Sequence, residues 1–281
     1  MLPKIIKHMQ GRAMLNWLEQ LIGDVIERPI EDDERTTATT FLGWPRNQIF
    51  RDVIGGGQAD FDAAIGHLSG FDRARLYAKY NQGRHLDELR HAFTRMRGEQ
   101  GVSRPTVIDV GCGPFTAGLA FAASFGAQEP FRYFGVDRAQ SMLDLGELLA
   151  AGAKERGAFH PQTTWTFGNN LDNFDFGPVR GEWTVVVASY LLASSTIDVD
   201  ALAGAIEGAL KRIGPGPVAV LYTNSANTIA RAKFPAFRDA LERGGFEVRA
   251  DDIERFVDTE KTPKDLHYAL LFRAAQNTIP M

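Results

Sequence analysis

Val107-Ile-Asp-Val-Gly-Cys-Gly-Pro-Phe-Thr-Ala-Gly118 is the stretch that decides the fold. A β-branched run opening after Pro105 passes directly into two glycines, and small residues at helical length follow through Ala123. That order reads as strand, tight turn and helix, the opening unit of an α/β sheet. Glycines in such a turn let the backbone approach a ligand that side chains would keep away. A ligand edge is therefore expected at Gly111, Cys112 and Gly113. A glycine turn by itself also fits any tight strand-to-helix connection.

Outward from this unit the alternation continues. Phe131 to Val136 reads as a second strand ending at Asp137, followed by a helix from about Gln140 to Ala153. Thr163 to Phe167 reads as a third strand, ending in Gly168-Asn169-Asn170. The unbroken apolar run from Trp183 to Ala188 has the character of a strand buried on both faces, and it ends in Ser189-Tyr190. A helix at about 199–212, a strand at Pro217–Tyr222, a helix at about 229–243 and strands near 246–250 and 267–273 complete the pattern. Strands alternating with helices predict a mostly parallel, doubly wound sheet.

Residues before this region carry helical spacing. Apolar positions from 4 to 27 form one amphipathic helix closed by Pro29, and an acidic loop and the Gly55-Gly56-Gly57 triplet follow. Helical pattern resumes near Phe61, with Leu76, Tyr77, Tyr80, Leu86, Leu89 and Phe93 on an apolar face. The predicted division is a mainly helical cap over residues 1–100 and an α/β domain over 101–281.

Composition bounds the function. A chain of 281 residues buries a core without covalent staples. Its single cysteine, Cys112, excludes an intramolecular disulfide and a cysteine-cluster metal site; no metal site is expected, and a reducing compartment, the cytoplasm, is. Lys4, Lys7, Arg12, Glu19 and Asp24 interrupt the first 26 residues, so neither a signal core nor a membrane span is expected there. A net charge of −4 weighs against a surface built throughout for phosphate backbones, leaving a local basic patch open.

At the end of the second strand, Asp137 is placed to take both hydroxyls of a ribose as an acceptor-only carboxylate, or to cap the helix ahead of Ser141. Asp109-Val-Gly-Cys-Gly113 resembles motif I of the class I S-adenosylmethionine-dependent methyltransferases, and Phe134-Gly-Val-Asp137 resembles their second motif. The likeness covers about residues 104–275. It includes Gly244-Gly-Phe-Glu-Val-Arg249 and Tyr268-Ala-Leu-Leu-Phe-Arg273, which are similar to the antiparallel hairpin closing the methyltransferase sheet. The resemblance implies a seven-stranded Rossmann-like α/β sheet with S-adenosyl-L-methionine as cofactor. It further implies that Gly111, Cys112 and Gly113 approach that cofactor, that Asp109 orients its methionine end, and that Asp137 binds the ribose. Asn169 and Asn170 would flank the adenine; many members carry an acid in that loop, and the Asn170 amide would stand in for it. Phe115, after Pro114, replaces a third glycine often found in motif I, which weighs against a nicotinamide dinucleotide.

Methyl transfer from a sulfonium is an in-line displacement, asking the protein to align an acceptor lone pair and, where needed, to remove a proton. Ligands of open α/β sheets lie beyond the carboxyl ends of the strands, which places Ser189 at the cofactor and makes Tyr190 the candidate catalytic residue. The Tyr190 phenol would orient an acceptor or stack on a planar one, or else pack under the N-terminal helices. Tyr222, Thr223 and Asn224 fall on the same rim, with Tyr222 and Asn224 as candidate substrate contacts. Tyr77-Ala-Lys-Tyr80-Asn81-Gln-Gly-Arg84-His85 is the run of the cap nearest the first strand, either an acceptor pocket through Tyr77 and Tyr80 or a packed face with a solvated edge. His85, His91, His160 and His267 are available bases with no spacing that favours one. No Asn/Asp-Pro-Pro-aromatic run follows the fourth strand and no Pro-Cys occurs, which weighs against methylation of DNA amino groups and of cytosine C5. Val185-Val-Val-Ala-Ser-Tyr-Leu-Leu192 is also similar to the matching segment of mitochondrial small-ribosomal-subunit methyltransferase-like proteins, whose iron–sulfur cysteines this chain lacks. The expected activity is methyl transfer to a small molecule. An RNA or ribosome-associated methyltransferase and a non-catalytic S-adenosylmethionine-binding regulatory protein are the alternatives.

Overall fold

The computed structural model describes residues 16–100, 104–257, 259 and 262–276. Seven strands form the sheet: β1 (Thr106–Val110), β2 (Arg132–Val136), β3 (Thr164–Gly168), β4 (Thr184–Ser189), β5 (Val218–Ser225), β6 (Glu247–Phe256) and β7 (Lys264–Arg273). Their order is β3-β2-β1-β4-β5-β7-β6. The first five run parallel, and β7 inserts antiparallel between β5 and β6. Strand order reverses between β1 and β4, so a crevice opens there at the carboxyl ends.

Alternation along the strands feeds two cores. Val107, Val185, Val187, Ala219 and Leu221 point to one face, and Ile108, Val186, Ala188 and Val220 to the other. Helices α3 (Thr116–Phe125) and α4 (Gln140–Glu155) cover the first face; α5 (Val199–Ile213) and α6 (Phe234–Arg243) cover the second. Strand β6 runs well past the predicted 246–250 because β7 pairs with it along its length. Helix α6 starts later than expected, at Phe234, because turns come first, in one of which Asn227 Oδ1 accepts from the Ile229 amide.

Two helical runs of the cap cross the first face. The described part of α1 spans residues 16–31; the predicted apolar positions from Ile5 to Leu15 lie outside the described residues. Pro29 does not end this helix as expected. A π turn over Gly23–Glu27 precedes it, and Pro29 falls in the first turn of the following segment Arg28–Glu31, where proline is tolerated. Helix α2 covers residues 70–100 and is likewise interrupted by a π turn, Ala78–Gln82. It begins at Gly70 and not near Phe61, since Ser69 and Asp72 form a reciprocal capping box there. A two-stranded ribbon, Thr40–Phe41 with Trp44–Pro45, adds β structure where only helices were expected, its turn made by left-handed Leu42 and Gly43.

Cap and sheet share one buried apolar cluster. Phe93 of α2 meets Phe121 of α3 edge-on with ring centroids 5.2 Å apart, and the Gln82 amide donates to the Pro114 carbonyl at 2.9 Å. Arg156 at the end of α4 pairs with Asp24 of α1. Among the described residues no helix is long and apolar enough to cross a membrane.

Candidate functional site

A cleft of about 300 Å³ lies at the carboxyl ends of β1, β2 and β4. Val110, Gly111, Gly113, Val136 and Asp137 form one wall, and Ser189, Tyr190, Leu191, Ser194, Thr196 and Ile197 form the other. Gly57, Gln58, Ala59, Phe61 and Tyr77 of the cap roof it.

The first wall is backbone held by backbone. The Val136 carbonyl accepts from the amides of both Gly111 (2.8 Å) and Cys112 (2.9 Å). The Gly113 amide donates to Asp137 Oδ2 and the Ala139 amide to Asp137 Oδ1, each at 3.0 Å. Gly111 and Gly113 take φ of +72° and +51°, conformations that favour glycine. With these amides engaged, the turn offers a ligand its bare Cα surface. A Cβ on Gly113 would meet nothing nearer than the Tyr77 ring at 3.9 Å, which leaves space at the cleft. Asp137 is half-buried; burial pushes its pKa up while the two amides oppose the rise. Each of its oxygens accepts one amide and keeps capacity for a further donor.

Asp109 and Cys112 stand behind this wall and do not line the cleft, although both were expected to reach the cofactor. The Tyr133 hydroxyl donates to Asp109 Oδ2 at 2.6 Å, and burial pushes the carboxyl up to about 7 against that bond. Burial likewise raises the Cys112 thiol, which keeps it protonated and unreactive. Phe115, in place of a third motif glycine, turns its ring into the core against Tyr133 and Phe167, with centroids at 4.7 and 5.6 Å. The ring fits because residue 118 is glycine: a Cβ there would overlap it.

Asn169 lines the cleft edge. Asn170 does not; its Oδ1 accepts from the Asp172 amide at 2.9 Å and caps the short turn Leu171–Asn173, which corrects its expected place at an adenine. Ser189 lines the cleft and accepts from the Thr223 hydroxyl at 2.9 Å. Tyr222 and Asn224 also differ from expectation. Both are fully buried away from the cleft, Tyr222 stacked on Phe234 of α6 at 4.5 Å and Asn224 Nδ2 donating to the Tyr222 hydroxyl and the Ala230 carbonyl, each at 3.0 Å. Helix α6 and the strand pair β7–β6 close the rim beyond β5. Of the two cap tyrosines, Tyr77 enters the cleft, edge-on to Phe61 at 5.3 Å. Tyr80 lies outside it and donates to the Arg46 carbonyl at 3.1 Å, against the expectation of an acceptor contact.

Tyr190 follows β4 in a left-handed conformation, φ +57°. Its ring stacks on His85 of α2, with centroids 4.0 Å apart and planes 20° apart. Glu88 is 2% exposed; burial pushes its pKa up to about 7, opposed by Tyr190, Arg84 and Lys264. Burial, helped by Arg84 and Lys264, lowers His85 to about 4, which leaves it neutral at pH 7. Glu88 was not anticipated, because a lone acid on a helix carries no motif. The post-β4 loop is fixed by Lys233 Nζ, which donates to the carbonyls of Ser194, Ser195 and Ile197 at 2.7, 2.9 and 2.6 Å.

The roof is a strap over residues 54–62. Gly55, Gly56 and Gly57 all have positive φ, and Gln58 donates to the Ala193 carbonyl across the cleft at 3.0 Å. Both oxygens of Asp62 accept from the first amides of α4, Gln140 and Ser141, at 2.9 Å. The cap thus supplies the N-terminal carboxylate of α4, while Asp137 reaches only Ala139. Arg73, buried, gathers carbonyls in the strap and at both its ends, those of Val53, Asp60 and Ala63. The glycine triplet was the one visible sign of this strap.

No family model and no curated protein matches the chain. Solved structures do. An S-adenosylmethionine-dependent methyltransferase from Clostridium acetobutylicum is 11% identical over 72% of this chain and 98% of that one, with a TM-score of 0.46. A glycopeptide N-methyltransferase is 15% identical over 67% of this chain and 90% of that one, also at 0.46. A methyltransferase of the same cofactor class from Corynebacterium glutamicum is 15% identical over 66% and 88%, at 0.41. The seven strands and the antiparallel pairing of β6 with β7 are those the motif resemblance implied. The fold is a doubly wound, seven-stranded Rossmann-like α/β sheet with N-terminal helices.

Proposed function

We propose that the chain is an S-adenosylmethionine-dependent methyltransferase with a small-molecule acceptor. The observation that carries this reading is the pairing of Asp137, which keeps acceptor capacity toward the cleft, with the open Cα surface of Gly113 beside it. An acid at the end of β2 suits vicinal ribose hydroxyls, and the apolar side chains of Val110, Ala139 and Met142 suit a purine face. Gly111, Gly113 and Ser189 border the space left for the methionine end. The bound cofactor would supply an electrophilic methyl group. Tyr190 and Tyr77 then face the acceptor, and the strap excludes water above them. A cleft roofed on one side by a latched strap favours a small acceptor over a polymer that must lie across it, and the single buried cysteine suits a reducing compartment such as the cytoplasm.

Calorimetric titration of ligand-stripped protein with S-adenosylmethionine and S-adenosylhomocysteine tests the reading. Micromolar binding is expected, weakened at least about tenfold in Asp137→Ala through loss of charge-assisted hydrogen bonds. Absence of binding to either compound would overturn the assignment, and equal affinity in the mutant would move the ribose elsewhere.

A further inference from the structure

Resting on that reading, we infer that Lys233 is a positioning residue of the transfer site: its ammonium acts as an internal cation that holds the 193–197 loop in the shape that both walls the cleft and catches the strap.

A lysine ammonium has three N–H donors and no acceptor. Those of Lys233 meet the carbonyls of Ser194, Ser195 and Ile197 at 2.7, 2.9 and 2.6 Å, all from one short stretch after β4. Carbonyl dipoles that converge on one point repel one another unless a cation stands between them, so this loop shape depends on the charge. The loop's own contacts are local: the Ser194 amide donates to the Leu191 carbonyl, and the Ser194 and Thr196 hydroxyls bond each other at 3.0 Å. Lys233 itself is anchored outside the cleft. The Phe237 amide donates to its carbonyl, and its neighbour Phe234 is buried against Tyr222. A cation just ahead of α6 opposes the dipole of that helix, and the loop carbonyls offset the cost.

The stretch that Lys233 gathers meets the cleft at two places. Ser194, Thr196 and Ile197 line it, and Thr196 Oγ1 accepts from Arg138, beside Asp137, at 3.3 Å. The carbonyl just before the gathered ones, that of Ala193, accepts from Gln58 of the strap at 3.0 Å. Lys233 touches neither the cofactor space nor the acceptor space. It acts through the loop, which keeps the two in line beneath a closed strap.

Calorimetry and stopped-flow release of S-adenosylhomocysteine from the full chain test this. Lys233→Ala should bind the compound at least about tenfold more weakly and release it at least about tenfold faster. Propylammonium, which restores the carbons and nitrogen removed, should return both toward the wild-type values. Tetramethylammonium carries the same charge without an N–H and should leave them unchanged. In Gln58→Ala, which lacks the strap latch but keeps the loop, release should quicken and propylammonium should not slow it. Lys233→Met keeps the stem and drops only the ammonium, so it should show the same fast release, and it carries the test if the alanine variant does not fold. Wild-type release in either Lys233 variant would overturn the inference. So would a defect in Lys233→Ala that propylammonium leaves untouched or that tetramethylammonium repairs equally. Failure of the wild-type chain to bind S-adenosylhomocysteine would instead overturn the cofactor reading itself.

Discussion

On the β1–β2 side of the cleft, three consecutive amides are satisfied by the Val136 carbonyl and the Asp137 carboxylate, and the aromatic core around Phe115 packs directly behind them. On the strap side, the surface is made of loop residues carrying three left-handed glycines, latched by Gln58 and Asp62. The first wall has no local motion open to it that does not break the sheet end; the second can open by losing a few hydrogen bonds. The difference teaches where recognition is fixed and where it adapts. A wall of strand ends holds the part of a ligand that never varies, and a strap admits and covers the part that is exchanged.

The comparison breaks most visibly at the packed wall. Phe115→Ala should destabilise the chain by about 3–5 kcal/mol in denaturant unfolding, as for other buried phenylalanines. Gly118→Ala should cost about 1–3 kcal/mol by overpacking in the wild-type background and clearly less beside Phe115→Ala. Additive effects would show that the ring and the glycine do not share one space. At the strap, Asp62→Ala should cost only about 1 kcal/mol, the worth of an N-terminal cap. Its larger signature is kinetic: stopped-flow release of S-adenosylhomocysteine should quicken several-fold. An unchanged release rate would show that the strap does not gate the cleft.

A smaller effect concerns pH. Asp109 and Glu88 both titrate near 7 in the folded chain, above the ordinary unfolded carboxyl value of about 4. Between these values the folded state holds protons that the unfolded state has released, so their contribution is full below about pH 4 and declines as pH rises toward 7. The denaturant midpoint should therefore be lower at pH 8 than at pH 5.5, and Asp109→Asn should flatten that difference. A midpoint that rises over this range, with the mutant parallel to the wild type, would contradict the assignment of the buried carboxyls.

Much of the cleft was legible in the sequence because it follows rules tied to strand ends. Gly111, Gly113, Asp137, Ser189 and Tyr190 sit at the carboxyl ends of β1, β2 and β4, where any doubly wound sheet presents residues to a ligand. The same rule failed at Tyr222 and Asn224. It counts positions along a strand but does not register the helix and hairpin that fold over β5. Asn170 failed for a local reason, since an asparagine just ahead of a turn bonds its own backbone first. Asp62 could not be read at all: it acquires its role from a partner distant in sequence, and an isolated acid on a loop carries no period or spacing. Pro29 misled because a wider helical turn ahead of it removed the clash that normally stops a helix.

The π turn at Ala78–Gln82 amounts to one surplus residue in an otherwise regular helix. In an uninterrupted α-helix, positions 77 and 85 would lie about 80° apart, since each residue advances about 100°. The surplus residue rotates the second half relative to the first by roughly that angle, which brings the two positions onto one side, so that Tyr77 meets the glycine turn while His85 meets Tyr190. Removing a single residue from this turn would therefore act like a key cut one notch out of register: the sheet would still form, but the two ends of the helix could no longer serve the same cleft together.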